Sequence, residues 1–122
     1  MRRLLILAVI GMVVATLAIC SSRAAEKDKL PAFMRVKLDH SQQILEGLTT
    51  DDLDKVAKDS QALALLSHEA NWQVIVTEDY LQHSNEFRRA ANALTKAAKD
   101  KNLDGATLAY MSMTMSCVNC HK

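Results

Sequence analysis

Glycine and proline are scarce in this chain, with three glycines and one proline in 122 residues. Beyond the first two dozen residues only Pro31, Gly47 and Gly105 remain, which argues against a loop-rich or turn-rich fold. No internal repeat and no low-complexity segment is visible, so a repeat array is excluded. Strong charge of either sign is also missing, with 15 basic residues against 14 acidic ones. A surface so balanced does not point to nucleic acid or to a strongly anionic membrane. Of three cysteines only two are closely spaced, so a four-cysteine zinc site cannot be assembled. No pair of residues stands out as a catalytic acid and base, and an enzyme is not expected.

What is present begins with an address. Arg2 and Arg3 precede an uninterrupted apolar run over residues 4–19, and Ser22 and Ala24 then follow an A-x-A-like cleavage pattern. The run has 16 residues, short of the ~20 that span a bilayer as a helix. Residues 1–24 therefore read as a secretory signal cut after Ala24, with an uncleaved anchor as the alternative. Lipidation at Cys20 fits less well, because Ile19 is larger than the residue that normally precedes a lipidated cysteine. Residues 25–122 form one small domain. Arg2, Arg3 and Arg23 leave with the signal, so 12 basic residues face 14 acidic ones and the net charge becomes −2. A domain this small has a limited core and often relies on a disulfide, a metal or a cofactor.

Apolar residues recur at helical spacing in four segments. Pro31 suits a first helical turn, and Met34, Leu38, Ser41, Leu45 and Leu48 form the stripe that follows, with Gly47 near its end. Residues 49–52 offer a cap for a second helix whose stripe is Leu53, Val56, Ser60, Leu63 and Ser67. Residues 68–76 break the pattern and hold the single tryptophan, Trp72. Thr77 starts a third helix with Tyr80, Ser84, Phe87, Ala91, Leu94 and Ala98 facing inward, and residues 102–105 make a polar link. A last stripe runs Ala106, Tyr110, Met113, Cys117 and Cys120. Within it "MSMTMSCV" also alternates like a strand, but a lone strand would have no evident partner, and helix is the expectation. The fold class expected is all-α, an up-down-up-down four-helix bundle.

The run "CVNCHK" carries the most specific chemistry in the chain. Cys117 and Cys120 lie three positions apart, on neighbouring turns of one helical face, and His121 follows directly. Two such thiols can each form a thioether to a haem vinyl group while the imidazole ligates the iron, which is the signature of c-type haem attachment. A Cys117–Cys120 disulfide, a thioredoxin-like pair and half of a zinc site are the competing readings. The redox pair expects a βαβ context that is missing, and only haem attachment needs the adjacent histidine.

A helical chain with "CVNCH" at the end of its fourth helix resembles the class II c-type cytochromes, cytochrome c-prime and its low-spin, methionine-ligated relatives. The resemblance covers the layout of residues 25–122 and, at motif level, Cys117, Cys120 and His121. It implies one covalent haem c near the C-terminal end of helix four, held by Cys117 and Cys120, with His121 as the proximal iron ligand. Two departures are plain. Leu30 stands where the family often has arginine, and the aromatic and basic residues that relatives tend to carry after the motif are missing beyond Lys122.

In an up-and-down bundle helix four ends where helix one begins, so Met34, in the first turns of helix one, is the expected distal ligand. A His/Met pair raises the reduction potential and favours electron transfer over ligand binding. Without Met34 the iron would be five-coordinate, as in cytochrome c-prime, and open to NO or CO. His40, His68 and His83 are weaker ligand candidates, and His40, pointing away from the Met34 face, is expected to be solvated. Met111, Met113 and Met115 invite a Cu(I) reading, but on a helix Met113 faces away from the other two. Arg35 and Lys37 are near the haem end and are expected on a solvated face; Trp72 and Tyr80 could cover the haem edge. The function expected is thus that of an exported, periplasmic monohaem cytochrome carrying single electrons. The alternatives are a gas-binding protein of the c-prime kind and an exported copper or zinc carrier without haem. Redox proteins are the expected partners, with a homodimer left open and no stable membrane insertion after signal cleavage.

Overall fold

The computed structural model of the chain describes residues 29–69, 72–73 and 75–122, so the expected signal segment lies outside the described residues. By its internal contacts the chain divides into two compact units, residues 1–34 and 35–122, and the packing below belongs to the second. All regular structure among the described residues is helical: α1 Lys29–Thr49, α2 Leu53–Leu66, α3 Glu78–Lys99 and α4 Leu103–His121. The strand alternative for the last segment is thereby excluded.

Two links of three residues set the register. Each ends one helix with a residue at positive φ, Asp51 (57°) after α1 and Lys101 (56°) after α3. In each the next amide reaches back five residues, Asp52 N–H to Gly47 C=O at 2.8 Å and Asn102 N–H to Ala97 C=O at 2.9 Å, a Schellman closure. The same two residues then cap the following helix, Asp52 accepting from Lys55 N–H and Asn102 from Gly105 N–H. One residue thus closes one helix and opens the next, which leaves the chain no length for anything but an antiparallel return. The expected polar link over residues 102–105 is observed instead over residues 100–102, because Asn102 caps α4 and residues 103–105 form its first turn. The start of α3 is as expected, with Thr77 as its cap.

Side chains confirm the antiparallel neighbours within residues 35–122. His40 and Asp59 pair at 2.8 Å and Lys55 and Glu46 at 2.7 Å between α1 and α2. The Ser60 and Thr95 hydroxyls meet at 2.7 Å between α2 and α3, and Tyr110 on α4 donates to Ser41 C=O on α1 at 3.2 Å. Lys101 Nζ reaches Asp54 at 2.6 Å, so the two short links share one end. The arrangement is compatible with a four-helix bundle. Its core holds Ile44, Val56, Leu63, Leu94 and Met113, with Ser60 and Ser67 also fully buried. The two serine hydroxyls are satisfied by their own helix, at Ala57 C=O and Ala64 C=O.

The stripes expected on α2 and α3 are the buried faces observed, with Tyr80 half-buried at the start of α3. On α1 the expectation is corrected. Leu48 faces inward as expected, but Leu38 and Leu45 are 46% and 48% exposed, and Ile44 and Gly47 face inward instead. Two contacts turn the helix. Gly47 lies so close to α2 that a Cβ there would stand 2.8 Å from Val56 Cγ2, and His40 turns with it to meet the buried Asp59. Periodicity counted on apolar residues alone misses both.

Leu94→Ala should cost about 2–5 kcal/mol in chemical denaturation, whereas Leu65→Ala, at an exposed position, should stay within about 0.5 kcal/mol. Asp51→Gly should stabilise by roughly 0.5 kcal/mol, since glycine adopts the left-handed conformation without the Cβ penalty; an unchanged or lower midpoint would refute the strain at this cap.

Candidate functional site

Residues 67–69, 72–73 and 75–77 are outside the helices, and Trp72 among them is buried. A turn closes from Trp72 N–H to Glu69 C=O at 3.0 Å, and Arg88 on α3 donates to Ser67 C=O at 3.3 Å. The indole is then buried against α3, its ring centre 4.8 Å from that of Phe87 and its N–H donating to Ser84 Oγ at 3.0 Å. Tyr80 donates its hydroxyl proton to Trp72 C=O, which fixes the same segment from a second side. The Lys37 ammonium, from α1, stands 3.7 Å from the centre of the indole ring.

Cys117 and Cys120 share this end of the molecule. Both are free thiols, Cys117 half-buried and Cys120 exposed, and α4 remains helical through His121. Cys117 continues the inward face of α4, four positions beyond Met113, and Cys120 follows one turn later at the surface. The Lys37 charge acts on both thiols, and that of Cys120 acts on Tyr80. Burial pushes the Cys117 thiol above its ordinary value, partly offset by the Lys37 ammonium. Burial likewise lowers Lys37, and the two thiols oppose that shift. Burial also raises the Tyr80 hydroxyl, with Cys120 adding to the effect.

The expected site residues divide accordingly. Cys117 and Cys120 are brought together with an aromatic cluster of Trp72, Phe87 and Tyr80, while His121 is exposed in the final residue of α4. Met34 is half-buried and belongs to the other compact unit. Met113 is fully buried while Met111 and Met115 are exposed, so the three methionine sulfurs do not converge. Two expectations are corrected. Lys37 is half-buried over Trp72 rather than on a solvated face, because its long apolar stem lets the ammonium reach an electron-rich ring. His40 is half-buried and paired with Asp59 rather than solvated. His83 lies 3.4 Å from Glu86 and His68 is exposed. The sequence did hold a signal for Lys37, which sits seven residues before Ile44 and four after the buried Phe33, on the helical spacing of the core face.

Two unpaired thiols about one turn apart and an adjacent imidazole are the side chains here that could hold a haem or a metal. Among known proteins, no family model, no curated protein and no solved structure matches this chain.

In protein that carries no attached group, iodoacetamide at pH 8 should alkylate Cys120 several-fold faster than Cys117, because Cys120 is exposed while burial both shields the Cys117 thiol and raises it. Peptide mass spectrometry over a time course measures the ratio, and equal rates would contradict the burial of Cys117.

Proposed function

We propose that this chain is an exported, periplasmic monohaem c-type cytochrome of the class II kind, a single-electron carrier rather than an enzyme. The observation that carries the reading is the C-x-x-C-H run, with both thiols unpaired on successive turns of α4, the Lys37 charge acting on both and Cys120 acting on Tyr80. The up-down-up-down bundle with haem c at the end of its fourth helix is the architecture this reading requires, and the antiparallel neighbours support it.

In this proposal Cys117 and Cys120 would hold the group as thioethers. His121 would offer an imidazole nitrogen to the iron, and its place in the last helical residue lets the ring reorient at little conformational cost. Met34 would be the second iron ligand, an assignment that rests on the sequence argument. Trp72, Phe87 and Tyr80 exclude water from the thioether side, since each presents ring surface and Trp72 and Tyr80 have their polar atoms already bonded. Bound haem iron would supply a reversible one-electron couple, with a potential raised by His/Met ligation.

Protein exported from a host competent for haem attachment should give a pyridine haemochrome spectrum with the absorbance of a thioether-linked haem, surviving denaturation. Cys117→Ser and Cys120→Ser together should abolish it. In the oxidised protein a methionine–iron charge-transfer band should be present and should vanish in Met34→Ala. A high-spin spectrum in the unmutated protein would transfer the proposal to a five-coordinate, gas-binding protein, and colourless exported protein would end it.

A further inference from the structure

Lys37 lies seven residues before the buried Ile44, on the helical spacing of the core face, and is half-buried there. Its ammonium stands 3.7 Å from the centre of the Trp72 ring and 6.0 Å from that of Phe87. These rings give a flexible side chain a fixed seat, because they are themselves held. Their centres are 4.8 Å apart, the indole donates to Ser84 Oγ at 3.0 Å, and Trp72 C=O accepts from Tyr80. The charge so held acts on Cys117 and Cys120. Cys117 has most to gain from it. That thiol is half-buried, and burial keeps the proton on a thiol and leaves it a poor nucleophile. The charged and titratable groups facing the thiol pair are Lys37 from α1 and Tyr80 with Arg88 from α3. Of these, Lys37 is the one that opposes the effect of burial at Cys117.

We infer that Lys37 is a positioning residue for the thiol pair, a cation seated on Trp72 that keeps the half-buried Cys117 nucleophilic in the folded protein. The thiolate sulfur forms the new bond to an electrophilic carbon and the thiol proton passes to solvent, so neither an oxidant nor a reductant is required. A lysine on an open surface would do less, because water and salt screen it, whereas a half-buried charge is screened far less. Packing and electrostatics make opposite demands here. Burial shields Cys117 from solvent, and the same burial brings a cation to bear on it without much intervening water. The use made of this nucleophile rests on the haem reading, in which the electrophilic carbon belongs to the attached group. Its reactivity is measured without that group, so the two readings fail separately.

Full-length chain carrying no attached group, kept reduced, is alkylated across a range of pH, and each cysteine is followed by peptide mass spectrometry. At pH 8 Lys37→Met should slow the reaction of Cys117 with iodoacetamide by roughly 3- to 10-fold, and Lys37→Arg should keep most of the unmutated rate. The two profiles should meet at high pH, where Lys37 has lost its proton and Cys117 is wholly thiolate. A cation also favours an anionic reagent over a neutral one. The rate with iodoacetate relative to iodoacetamide, from which thiolate content cancels, should therefore fall in Lys37→Met as well. Loss of packing alone would open Cys117 and speed both reagents. Arg35→Gln, which removes an exposed charge from the same helix, should leave the Cys117 rates unchanged. Circular dichroism of each variant establishes that the helices persist. Cys117 alkylation in Lys37→Met at or above the unmutated rate overturns the inference, and so does an equal slowing by Arg35→Gln.

Discussion

Everything at the thiol-bearing end of this protein depends on the seating of Trp72. It is the largest side chain in the molecule and it stands on a non-helical link, where no periodic stripe would put it. Its burial is stabilising only because the polar parts are satisfied on entry, the indole N–H by Ser84 and the backbone carbonyl by Tyr80. With those bonds made, one ring face meets Phe87 and the Lys37 ammonium approaches the ring system from α1. The link, α1 and α3 are thereby tied at a single residue next to the cysteines.

The same seating sets the electrostatics. Burying an ammonium costs free energy, and a cation over an indole recovers about 0.5–2 kcal/mol of that cost. The remaining field falls on Cys117 and Cys120, so one lysine couples an aromatic cluster to two thiols. For Cys117 burial outweighs the lysine and the thiol is raised, so the folded state holds that proton more firmly than the unfolded chain. Its contribution to stability is complete below about 9.0 and is lost as the pH rises through the raised value. Lys37 runs the other way. Its lowered value means the unfolded chain holds the proton more firmly, and stability gains as pH rises from that lowered value towards 10.5.

Helix α4 presents two contrasting faces. Its inward face runs through Ala106, Met113 and Ser116 to the half-buried Cys117, and its outward face exposes Leu108, Met111, Met115 and Val118. Freedom from charge suits the inner face, because a charged residue there would need a buried partner. Such a helix is marked in composition long before its neighbours are known.

Local signals alone determined much of this protein. The caps at Asp52 and Thr77, the stripes of α2 and α3, the helical state of α4 and the pairing of Cys117 and Cys120 with His121 all follow from interactions within about four residues, which a sequence displays directly. The rotation of α1 and the roles of Lys37, His40 and Ser84 were decided by tertiary structure. Gly47 turns inward because α2 comes within 2.8 Å of where its Cβ would be, and a glycine does not announce what will approach it. Lys37 and His40 are polar residues on a core face, legible as such only once Trp72 and Asp59 stand opposite them. A burial pattern is written into one segment, but the partner that makes burying a charge or a missing side chain favourable lies on another.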